Sequence, residues 1–179
     1  MAQSQAPDPV LLVIAVFSRH QACFDWALER LQMKFGPLAF MSLPYEFNQT
    51  SYYEATMGRR LRKQFAVFQN LVTADSLTDA KLFTNGLEKE LADTKQYSEK
   101  RPLNLDPGIL NLGKFMLATT KDQAHRIYLA NGTFAEVTLR FQQGVFEPWP
   151  WTYADYRQAC VLSFMNDARE FYRRAVRGL

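Results

Sequence analysis

The sequence predicts an α+β domain: a mixed, mainly antiparallel sheet with a ferredoxin-like β-α-β-β-α opening, a C-terminal β-meander and a closing helix. Three observations carry this reading. Val10 to Phe17 is apolar at every position, as in a central strand covered on both faces. The apolar spacing then changes to that of a helix at Phe24, Leu28, Leu31 and Phe35. Late in the chain, Ala130-Asn131-Gly132-Thr133 places a strong hairpin signal between two stretches of strand-like residues.

The elements follow in order. Met1 to Pro9, polar and with two prolines, reads as a flexible leader. Strand Val10–Phe17 and its helix end at Gly36-Pro37, and Leu38 to Tyr45 reads as a second strand stopped at Pro44. Asn48 to Glu54, polar and aromatic without period, is a loop. From Leu61, the residues Leu61, Lys63, Phe65 and Val67 alternate with Arg62, Gln64, Ala66 and Phe68, which predicts a strand. Asp75 or Ser76 starts a helix to about Thr94, with Leu77, Ala80, Thr84, Leu87 and Leu91 on its inner stripe.

Asp106-Pro107-Gly108 reads as a tight turn displaying its carboxylate, since Pro107 fixes one backbone angle and glycine permits a left-handed one. Lys114–Thr120, His125–Ala130 and Thr133–Phe141 are the expected meander. Pro148 and Pro150 break the chain around Trp149 and Trp151. The last helix, from about Ala154 to Arg177, carries Tyr156, Cys160, Phe164 and Phe171 on one stripe, broadened by Val161, Met165, Ala168 and Tyr172.

With 179 residues and 47% hydrophobic content, the chain is long enough to bury a core, and its length favours one domain over residues 1–179. The longest apolar run is too short to span a bilayer, so no membrane partner is expected and the cytoplasm is the expected location. Cys23 and Cys160 are no disulfide framework and read as free buried thiols. A net charge of +3 neither demands nor excludes nucleic acid.

Several short blocks together are familiar: Thr50-Ser51-Tyr52-Tyr53-Glu54 with Met57-Gly58, Lys81-Leu82-Phe83-Thr84-Asn85 with Glu88, and Asn104-Leu105-Asp106-Pro107-Gly108. Leu117 to Asp122, His125 to Leu129, Ala135 to Leu139 and Pro150-Trp151-Thr152-Tyr153 continue them. Through these blocks the chain resembles the prokaryotic family catalogued as domain of unknown function forty-four sixteen. The resemblance implies an intracellular bacterial or archaeal protein of about this length, and it brings no activity, catalytic residue or ligand with it.

Chemistry-bearing residues are sparse. Gly108 to Phe115 matches a phosphate-binding loop in two glycines and Lys114, yet Phe115 replaces the Ser or Thr that holds Mg²⁺, and Lys114 opens a strand instead of a helix. On the strand Thr133–Phe141, Glu136, Thr138 and Arg140 share one face, to which Arg126 and Tyr128 add from the preceding strand and Lys121, Asp122 and His125 from the intervening turn. Asp106, flanked by Asn104, is the best single candidate for a functional carboxylate. Lys81, Asn85 and Glu88 lie near one line of a helix and gain interest only if the fold brings them to Asp106 or Glu136. With two histidines and no paired Cys spacing, no metal is assigned, and no cofactor is.

The expectation is a binder of, or enzyme acting on, a small anionic metabolite, phosphorylated ones included. Asp106, His125 and Glu136 form its catalytic set, and Asn104, Lys121, Arg126, Thr138 and Arg140 its ligand-binding set, all lining one cleft. Two other readings stand beside it. One is an RNA-binding module through Arg59, Arg60, Arg62 and Lys63 near Tyr52 and Tyr53. The other is a non-catalytic assembly component contacting partners through Phe146 to Tyr153. The sequence assigns no oligomeric state.

Overall fold

A computed structural model describes residue 3 and residues 5–178. Among the described residues, nine strands form a mostly antiparallel open sheet: β1 (Val10–Ser18), β2 (Leu38–Met41), β3 (Tyr45–Phe47), β4 (Leu61–Val72), β5 (Asn104–Leu110), β6 (Lys114–Thr119), β7 (Ile127–Ala130), β8 (Thr133–Gln142) and β9 (Val145–Pro148). Four helices accompany them: α1 (Gln21–Phe35), α2 (Glu54–Met57), α3 (Ser76–Asp93) and α4 (Ala159–Arg177). A single 3-10 turn, Ala154–Arg157, precedes the last helix. Of the expected leader, residues 1, 2 and 4 lie outside the described residues; the others up to Pro9 have no regular secondary structure.

The strand order is β2-β4-β1-β5-β6-β8-β7. Its first four members reproduce the expected ferredoxin-like opening, because β4 inserts between β1 and β2 and β5 takes the other flank of β1. The two faces of β1 explain its unbroken apolar run. Val10, Leu12, Ile14 and Val16 pack with Phe24, Leu31, Ala80 and Leu87 of α1 and α3. Leu11, Val13 and Ala15 pack with Val161, Met165 and Ala168 of α4. Every residue of β1 is buried, so a helix layer covers each side of the central strands.

Five expectations change. Leu38 to Tyr45 is two short strands, β2 and β3, separated by Ser42, Leu43 and Pro44; both pair with β4, at different stretches. Asp106-Pro107-Gly108 is no turn but the middle of β5. Gly108 does not use a left-handed conformation there. Its missing side chain instead lets β5 approach β6, because a Cβ would lie 2.5 Å from Phe115 Cζ and 2.6 Å from the Met116 carbonyl oxygen.

The meander is also not sequential, for β8 lies between β6 and β7. The Asn131-Gly132 turn does join β7 to β8, with φ of +50° and +73° at its two residues, the signs that a tight hairpin requires. A ninth strand, β9, pairs with the other end of β8. Finally, the closing helix starts at Ala159, and Cys160 in its first turn is exposed where Cys23 is buried. Val161, Phe164, Met165, Ala168 and Tyr172 form the buried stripe of α4.

Candidate functional site

The sheet opens where β5 and β6 part. Their pairing runs from Leu110↔Phe115 only to Gly108↔Leu117. On its other side β5 stays paired with β1 as far as Phe17↔Asn104. β6, paired with β8 along its whole length from Lys114↔Arg140, continues past Leu117 through Ala118↔Ala135 and Thr119↔Phe134 without β5 at its other edge. Pro107, which has no N–H to give to a ladder, is the residue at which the two strands separate. The resulting cleft holds a cavity of about 430 Å³, within the size range of small-molecule sites.

Asn104 and Asp106 of β5 line this cavity together with Lys81 and Asn85 of α3, Lys121 from the segment after β6, and Glu136 of β8. Tyr52 and Tyr53, before α2, and Tyr153 and Asp155, around the 3-10 turn, close it from other sides.

One wall is a closed polar network. The Asp106 Oδ2 accepts from Asn104 Nδ2 at 2.9 Å, and its Oδ1 lies 3.4 Å from the Lys81 ammonium. Lys81 also donates to the Leu105 carbonyl at 3.0 Å. Arg101 donates to Asn104 Oδ1 and, at 2.8 and 3.1 Å, to Glu88 Oε2. Glu88 Oε1 accepts from the Leu105 N–H at 2.7 Å. Burial pushes the Glu88 carboxyl above its ordinary range, with Arg101 and Lys81 opposing that shift. The Asp106 side chain keeps about a quarter (26%) of its surface exposed, so an oriented carboxylate remains accessible to a ligand.

A second pole forms around Glu136. Its Oε2 accepts from Arg126 Nε at 2.9 Å and lies 3.2 Å from His125 Nε2. Arg126 also donates to the Tyr153 hydroxyl at 2.6 Å and to the Lys121 carbonyl at 3.0 Å, so one guanidinium ties three segments together. The His125 ring stacks on Trp151 at 5.5 Å. Burial raises the Tyr153 phenol.

At the mouth, the Lys121 ammonium donates to the Tyr52 hydroxyl at 2.9 Å and sits 4.3 Å from the ring centre. That hydrogen bond lowers the Tyr52 pKa below its ordinary value. Deeper in, Lys63 and Asp155 form a buried ion pair at 2.5 Å. The Tyr156 and Phe17 rings lie 4.2 and 5.2 Å from the Lys63 ammonium.

Of the sequence-predicted residues, Asn104, Asp106, Lys121 and Glu136 therefore line one cavity, and Lys81 and Asn85 join them. His125, Arg126 and Thr138 stand behind it against Glu136, with Thr138 Oγ1 at 3.4 Å. Arg140 is elsewhere: it pairs with Glu147 at 3.1 Å and covers Trp149 at 4.6 Å.

Reading the sequence missed Arg101 and Asp155, and it placed Lys63 in a basic cluster for RNA instead of in this cleft. Lys63 carried a signal, since it falls on the apolar side of the alternation in β4, where a cation needs a buried partner. Its neighbours from the same basic cluster disperse: Arg62 reaches Gln21 at 3.0 Å, Arg59 reaches Glu54 at 2.9 Å, and Arg60 is exposed. In the aromatic segment after β9, Trp149 and Trp151 stack on each other at 5.0 Å.

Among the described residues, no group of His, Cys, Asp and Glu side chains is clustered to hold a metal ion, and no helix is long and apolar enough to cross a membrane. Residues 8–172 match a family described as Domain of unknown function (DUF4416). Neither the curated proteins nor the solved structures offer a match to the chain.

Proposed function

Since the chain belongs to the DUF4416 family, a domain of unknown function, we propose from the geometry of the cleft that the protein binds, and acts on, a small anionic metabolite. The observation that carries this reading is the convergence of Asp106, Asn104, Lys81, Lys121 and Glu136, from four separate stretches of chain, on one cavity of small-molecule size. Lys121 holds the anionic group at the mouth, where it has no carboxylate partner among the described residues. Asp106, held by Asn104 and Lys81 yet open to the cavity, is the group positioned to accept a proton from the ligand. Glu136 fixes Arg126, which in turn holds the Lys121 segment and Tyr153 in place.

Thermal unfolding in inorganic phosphate or succinate, against chloride at equal ionic strength, tests the reading. Phosphate, succinate or both raise the melting temperature of the wild type, and Lys121→Met removes the rise. No rise with either anion would end it.

A further inference from the structure

We infer that the ligand of this cleft is a polyhydroxylated compound bearing one terminal anionic group, an inference that rests on the anion-binding reading above. The charges of the wall are the reason. Each carboxylate that lines the cavity already has a cation: Asp106 has Lys81 at 3.4 Å, Glu136 has Arg126 at 2.9 Å, and Asp155 has Lys63 at 2.5 Å. Arg101, on the same wall, is taken by Glu88 at 2.8 Å. An interior of paired charges gives little net attraction to a second full anion, and its carboxylates repel one.

Such an interior suits hydroxyl groups. A hydroxyl both donates and accepts, so it gives its proton to a carboxylate oxygen while accepting from a neighbouring ammonium, guanidinium or amide. Asp106 with Asn104 and Lys81 presents that alternation within one contact distance. Within the rest of the lining, Asn85, Thr119, Thr120 and Gln123 add neutral groups of the same dual character, beside apolar surface from Phe17, Phe47 and Leu117.

The anionic group belongs at the other end. Lys121 is the lining cation without a carboxylate partner among the described residues, and it is exposed at the mouth beside the Tyr52 hydroxyl. One face of Tyr52 carries that ammonium, and the ring stands perpendicular to Tyr53 in a T-shaped contact at 5.0 Å. The ring is thereby committed to positioning Lys121, which disfavours stacking of a flat base and leaves the polar interior to set specificity.

Calorimetric titration of the full chain with two matched pairs decides it: D-ribose 5-phosphate against butyl phosphate, and D-gluconate against hexanoate. The two pairs separate a phosphate from a carboxylate as the anionic end. The hydroxylated member of at least one pair binds about tenfold tighter or more, the gain from two or so net hydrogen bonds. Asp106→Asn and Asn85→Ala narrow that gap; Asn85→Ala, an uncharged change, decides alone if Asp106→Asn fails to fold. Equal affinity within both pairs, or a gap untouched by the variants, overturns the polyol inference and leaves anion binding standing. A folded protein that binds none of the four compounds overturns both.

Discussion

Gly108 is required by contact and not by backbone angle, because its Cα passes against Phe115 and the Met116 carbonyl. The carbonyl is backbone of the neighbouring strand and cannot swing aside as the end of a flexible side chain can. Gly108→Ala therefore costs about 1–3 kcal/mol of overpacking, read as a lower urea midpoint. An unchanged midpoint would mean that β5 and β6 separate freely. Lys63 and Asp155 are coupled by burial: both are nearly inaccessible, and removing one leaves the other charged in an apolar and aromatic surround. Asp155→Leu is expected to cost about 3–5 kcal/mol, and the double change Lys63→Met with Asp155→Leu to recover most of it. Additive losses in that double-mutant cycle would show the pair to be uncoupled. Tyr52 offers a probe of the cleft mouth. Lys121 favours its phenolate, so Lys121→Met raises the Tyr52 pKa, followed as the alkaline shift of its ring signals in an NMR pH titration.

Among the elements, β8 shows how side chains complete a sheet edge. β7 covers one end of its outer edge, from Thr133 to Ala135, and β9 covers the other, from Leu139 to Gln142. Between them Trp151 Nε1 donates to the Val137 carbonyl at 3.1 Å, and Thr152 Oγ1 donates to the Thr138 carbonyl at 2.5 Å while accepting from Trp149 N–H at 2.8 Å. The buried Thr152→Val keeps the shape and loses both bonds, at a cost of about 1–3 kcal/mol by chemical denaturation. A neutral result would assign the edge to Trp151 alone. The strand β1, the Asn131-Gly132 hairpin and helix α3 were legible in the sequence because periodicity and turn chemistry are local properties. Pro107-Gly108 was not, since the same dipeptide serves a turn or the parting of two strands, and only the neighbouring strand decides. The insertion of β8 between β6 and β7 was hidden for the same reason: pairing partners are set by distant residues.

For the whole molecule, the cleft depends on two halves of one sheet separating beside α3, so the helix contributes to both core and site. Asp106 was legible as a candidate from its residue type and neighbours, although its place on a strand was not. The roles of Lys81, Glu88 and Arg101 were illegible, because a charged line along a helix looks the same whether it meets water or a buried strand. Glu88 turns this into a global property. Its Oε1 holds the Leu105 N–H of β5 and its Oε2 holds Arg101, while burial raises its carboxyl pKa above the unfolded value. Between those two values the folded chain binds more protons than the unfolded one. The Glu88 contribution to stability is thus complete below the unfolded value, near 4.3 for an ordinary glutamate, and is lost as pH rises through the folded value. Glu88→Gln has no such dependence. Urea unfolding of the two proteins from acid to neutral pH is expected to show the wild type losing ground to the variant as pH rises. A wild type that gains ground instead would mean that Arg101 and the Leu105 N–H outweigh burial.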